Sequence, residues 1–169
     1  MTNGIRSTRC GALGALGGSL FLILPVVSPH AQQVTQADPF IGTWKLNPAK
    51  STYNGQQPWR SGIVTIERSE RGLLLTNDFI NGNGRGTKDT ALLIYDGQPH
   101  AIRDNPNFDA LVAKRIDPMS QEFTILKDGK VLRTERIVIS ADGKIATFTA
   151  NGVNGSGQTL TRAQVYEKQ

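Results

Sequence analysis

From about residue 39 to the end of the chain, apolar and polar positions alternate with a period close to two. Phe123 and Ile125 bracket Thr124, and Ile145, Thr147 and Thr149 interleave with Ala146 and Phe148. A strand with one buried face imposes this period. The alternating runs predict strands at about 42–47, 62–68, 73–80, 87–95, 109–117, 121–127, 131–140, 144–150 and 159–167, with a short tenth near 100–103. Turn signals separate them. Asp96-Gly97, Asp128-Gly129, Asp142-Gly143 and the Asn-Gly pairs at 81–82, 83–84, 151–152 and 154–155 tolerate the positive φ angles of tight hairpins. No segment carries a helical period. Residues 110–116 come nearest, but they are few, contain Val112 and Ile116, and run into Asp117-Pro118, so they read as a strand.

Eight to ten short strands joined by tight turns predict an all-β, antiparallel up-and-down barrel. Closing the sheet removes the exposed edges that a meander otherwise leaves. A two-sheet β-sandwich is the alternative. One connection is long: residues 47–61, with Pro48, Gly55, Pro58 and Trp59, would cover an open barrel end or form a surface loop pinned by Tyr53 and Trp59.

The first thirty residues follow another pattern. Arg6 and Arg9 are the only charges before Asp38, an apolar stretch spans 11–27, and Pro29 and Ala31 lead into a polar run. This order predicts a secretory leader over 1–31 and a periplasmic or secreted product. The apolar run is short and glycine-rich for a membrane span. A polar spacer at 32–38 then precedes one barrel domain, 39–169. Loss of the leader removes Cys10 and His30, leaving no cysteine and only His100, and lowers the net charge from +5 to +3. Thiol chemistry is excluded, and a histidine-based metal site is disfavoured. No cofactor is implied. The scattered charges give no nucleic-acid footprint, and no membrane span is expected after the leader.

The candidate chemistry lies at the two ends of the domain. In the first strand Phe40, Gly42, Trp44 and Leu46 share one face. In the last, Leu160, Arg162, Gln164 and Tyr166 share one face. An inward arginine must meet a carboxylate, carbonyls, water or an anionic ligand, because its desolvation is otherwise costly. Three fates are open for Arg162: ligand contact, internal pairing or packing over Trp44 as a plug, and solvent.

Phe40-Ile41-Gly42-Thr43-Trp44-Lys45-Leu46 resembles the Gly-x-Trp opening strand of the calycin superfamily, the lipocalins and intracellular fatty-acid-binding proteins. Val165-Tyr166-Glu167-Lys168 is similar to the last strand of the fatty-acid-binding group, where an inward Arg-x-Tyr pair holds the ligand's carboxylate. The tyrosine falls on Tyr166. The arginine position holds Gln164, with Arg162 two residues earlier on the same face. Gly42-Thr43-Trp44-Lys45-Leu46-Asn47-Pro48-Ala49-Lys50-Ser51 also resembles exported bacterial lipocalin-like proteins. The resemblance implies a barrel that binds a small apolar or amphipathic ligand, such as a fatty acid, through Trp44, Arg162, Gln164 and Tyr166.

Two other functions remain open: a barrel enzyme of isomerase, cyclase or hydratase type, and an envelope interaction module. The first would use His100, which lies near Arg103 and Asp104, as a general base, and so requires His100 in a cavity. Gly82-Asn83-Gly84-Arg85-Gly86-Thr87-Lys88 lacks the spacing of a phosphate loop and precedes a strand, so it reads as a turn. Nothing in the sequence indicates the oligomeric state.

Overall fold

A computed structural model describes residues 38–54 and 56–169. The leader expected at 1–31 and most of the expected spacer lie outside the described residues. The described chain forms ten strands: β1 (Gly42–Asn54), β2 (Trp59–Ser69), β3 (Gly72–Asn81), β4 (Gly86–Leu93), β5 (His100–Arg103), β6 (Ala110–Asp117), β7 (Ser120–Lys127), β8 (Lys130–Ile139), β9 (Ile145–Val153) and β10 (Thr159–Lys168). Each pairs antiparallel with its sequence neighbours, and β10 returns to β1, closing the barrel. No helix occurs among the described residues. The barrel, not the sandwich, is the fold.

The turn chemistry explains why the hairpins form where they do. Asp128 and Gly129 take φ of 50° and 73°, joining β7 to β8 through two residues. Positive φ at both central positions matches the strand twist of a type I′ turn. Gly97 and Gly143, the second residues of two other Asp-Gly pairs, have φ of 75° and 71°.

Two expectations are corrected. The long link at 47–61 is mostly strand. β1 continues to Asn54 along β10, with an irregularity between Asn47 and Thr52, and only residues 55–58 connect it to β2. Ser51 fills the irregularity: its Oγ donates to the Asn47 carbonyl at 2.8 Å and accepts from Val165 N at 3.1 Å. Asn151-Gly152, expected as a turn, lies within β9, and the loop begins at Asn154.

The strand directions give the barrel two unlike ends. One is shut. Phe40 is fully buried, and its carbonyl accepts the Trp44 indole N–H at 2.9 Å. Arg115 grips the Asp38 carboxylate at 2.6 Å and lies over the rings of Phe40 (4.4 Å) and Tyr95 (4.9 Å). Lys168 places its ammonium 4.9 Å from the Trp44 ring centre and donates to the Pro39 carbonyl at 3.2 Å. Gly42 makes this possible. A Cβ there would lie 2.8 Å from the Lys168 Cε, and its φ of 136° disfavours any side chain.

Candidate functional site

Above the Trp44 floor the barrel encloses a cavity of about 300 Å³. Its lower wall is apolar, with Ile66, Leu75, Leu111, Phe123, Ile137 and Ile139 among the side chains facing it. The mouth is formed by loops. Gln56 and Trp59 stand on one side, Asn107, Phe108 and the 154–156 loop on the other. Trp59 stacks on Phe79 at 5.1 Å between ring centres. Phe79 lies directly over Gly62, where any Cβ would collide with its ring. Gly155 approaches the Asn107 carbonyl so closely that an added Cβ would sit 2.9 Å from it, so two mouth loops touch.

Between floor and mouth runs a polar belt. Arg133 and Glu135 lie on the inner face of β8, four and two positions before Ile137 and buried with it. Glu135 Oε1 accepts from Arg133 Nε at 2.6 Å and from Arg162 Nη2 at 3.0 Å. One carboxylate oxygen thus joins two guanidinium groups. The register explains how. Ala150 of β9 stands opposite Glu135 on one side and Arg162 on the other. The two side chains therefore span two strand spacings, about 10 Å between backbones, and meet over a methyl group. Gly152 stands opposite Arg133, and a Cβ there would collide with the arginine's own Cβ and lie 2.6 Å from the Leu132 carbonyl. Small residues at two adjacent inward positions of β9 make room for the triad.

Across the cavity Asp89 is buried, and each of its oxygens receives an amide N–H, from Asn77 at 2.8 Å and Asn105 at 2.7 Å. Burial pushes its carboxyl above the ordinary 3.8, the Glu135 charge adds to that, and the two amides and Arg133 oppose it. A raised folded-state pKa means that the folded protein binds this proton more readily than the unfolded chain. The contribution of Asp89 is therefore fully present below its unfolded pKa and is lost as pH rises through the folded one. In urea unfolding from about pH 3 to pH 7, the stability of wild type minus that of Asp89→Asn should fall with rising pH and then flatten. A difference that grows with pH would contradict the assignment.

The residues singled out in the sequence come together in part. Trp44, Arg162, Gln164 and Tyr166 all line the cavity. Arg162 is internally paired and also faces the cavity; Lys168, not Arg162, covers Trp44. Its Cζ lies 5.3 Å from the Phe148 ring centre, Nη1 reaches Gln56 at 3.4 Å, and its buried Nε has no acceptor among the described residues. Gln164 is 1% exposed, and its amide reaches the Tyr53 hydroxyl at 3.4 Å. Burial pushes the Tyr166 phenol far above its ordinary range, so it stays neutral as a hydrogen-bonding group. His100 does not join them. Its Nε2 lies 2.9 Å from Asp96, and it is not among the residues lining the cavity.

No protein-family model matches the sequence, and no curated protein matches it. Solved structures do. One is a zebrafish ileal bile acid-binding protein complexed with cholic acid, 10% identical, covering 78% of this chain and 99% of that one with a TM-score of 0.47. What the cavity can do is therefore argued from its own residues. Sequence reasoning missed Arg133, Glu135 and Asp89. The signal was available: Ile137 and Ile139 mark the inner face of β8, and stepping back by two reaches Glu135 and Arg133. Asp89 follows in the same way from Ala91 and Leu93.

Proposed function

We propose that this chain is an exported binding protein whose barrel holds one small, largely apolar ligand with a polar end. The cavity carries this reading. At about 300 Å³ it sits at the lower end of the range for small-molecule sites, which are mostly apolar with a few placed polar groups. The ligand's apolar body would lie against Ile66, Phe123 and Ile137, and its polar end would meet Arg133, Arg162, Gln164 and Tyr166. A fatty-acid carboxylate is one candidate for that end, but the arginine that would hold it already bonds Glu135. The enzymatic reading through His100 lacks the cavity position it requires.

A neutral polarity-sensitive dye, N-phenyl-1-naphthylamine, tests the binding reading. It should brighten on entering the wild-type barrel. Ala91→Trp, which projects an indole into the cavity from a buried lining position, should abolish the signal in a protein that still folds. Absence of dye uptake by wild type, or uptake unaffected by Ala91→Trp, would remove the proposal. Export rests on the leader pattern. Protein recovered from the periplasm or medium should begin near Gln32, and a cytoplasmic chain retaining Met1 would rule export out.

A further inference from the structure

Four charged side chains line the cavity: Arg133, Arg162, Glu135 and Asp89. Both oxygens of Asp89 accept amide hydrogens, the arrangement suited to an ionised carboxylate. At pH above the raised pKa of Asp89, where both carboxylates are charged, they offset the two guanidinium groups before any ligand enters. The donors are not balanced. Arg133 uses only its Nε on Glu135, and its ring neighbour Phe108, 4.9 Å away, accepts no conventional hydrogen bond. Arg162 has a buried Nε with no acceptor among the described residues. The site therefore offers spare N–H groups and no spare positive charge.

We propose that Glu135 is a resident counter-anion that sets the ligand class, so that the barrel selects an uncharged amphiphile bearing an acceptor oxygen, such as an alcohol, ketone or ester, over a free carboxylate. This rests on the binding reading above. A neutral oxygen satisfies the spare donors and leaves the charge count unchanged. A carboxylate brings a second anion beside Glu135 in a partly dehydrated interior, where like charges in close contact are costly. It must displace Glu135 from Arg162 or remain beside it unpaired.

Competition against N-phenyl-1-naphthylamine with decanol, methyl decanoate and decanoate tests this. Wild type should bind the alcohol and the ester about tenfold or more tighter than decanoate. In Glu135→Gln, which keeps an acceptor oxygen and removes the charge, the decanoate-to-decanol affinity ratio should rise about tenfold. Wild-type preference for decanoate, or an unchanged ratio in a folded Glu135→Gln, overturns the inference. If Glu135→Gln does not fold, the wild-type ratio decides alone. If the dye enters the barrel and none of the three competitors displaces it, the inference fails while the binding reading stands. If the dye itself does not bind, the binding reading fails, and this inference with it.

Discussion

Glu135→Ala should lower stability by about 3 kcal/mol, near the low end for removing one partner of a buried ion pair. Arg133 and Arg162 have side chains only 5% and 12% exposed, and the substitution would leave them facing each other with no anion between. The low end applies because the cavity lets water reach their terminal nitrogens. In thermal unfolding the loss should appear as a drop of about 10 °C. Replacing the whole triad, as Arg133→Met, Glu135→Leu and Arg162→Met together, should recover most of it, since buried ion networks are often no more stabilising than apolar side chains of similar volume. The triple variant should also lose discrimination between ligand head groups. Stability recovered with discrimination lost would separate what the triad does for the fold from what it does for the cavity. A triple variant no better than Glu135→Ala would assign the triad to the fold.

Trp44→Ala should have the larger effect on the fold, about 3–5 kcal/mol. The indole is 2% exposed and serves three neighbours: the Phe40 carbonyl, the Lys168 ammonium and the cavity above it. Truncation loses the buried area and joins the vacated volume to the cavity. Trp44→Phe, which keeps a ring under Lys168 and loses the N–H, should cost much less. Chemical denaturation of the three proteins checks the order. A Trp44→Phe loss as large as that of Trp44→Ala would show that the hydrogen bond to Phe40, not the packing, secures the closed end.

All ten strands were legible because each has one face against the interior and the other toward solvent, and because Asp-Gly and Asn-Gly pairs punctuate them. The second half of β1 was not. Residues 48–54 are mostly exposed, only Thr52 to Asn54 among them have partners in β10, and β1 meets β2 through Gly42 to Lys45 alone, which face Ile63 to Ile66. With little of that segment packed inward, no apolar alternation arises to announce a strand. Of the site, the wall from β10 and the Trp44 floor could be read from alternation beside flanking motifs. The partner of Arg162 could not. Glu135 precedes it by 27 residues, and their meeting depends on the β8–β9–β10 register and on Ala150 being small. Register is a property of the assembled sheet.

The same closure governs when the chain can fold. The seam between β1 and β10 joins residues 44–54 to residues 161–168, opposite ends of the domain. A ribosome adding roughly 5–20 residues per second leaves β1 without that partner for roughly 5–25 s. All-β domains fold in milliseconds to seconds once complete. Synthesis therefore sets the wait, and the nascent chain stays without its final seam until the last strand emerges. If the proposed export threads the chain through a membrane unfolded, that delay would keep it fit for passage, and the barrel would shut on the far side.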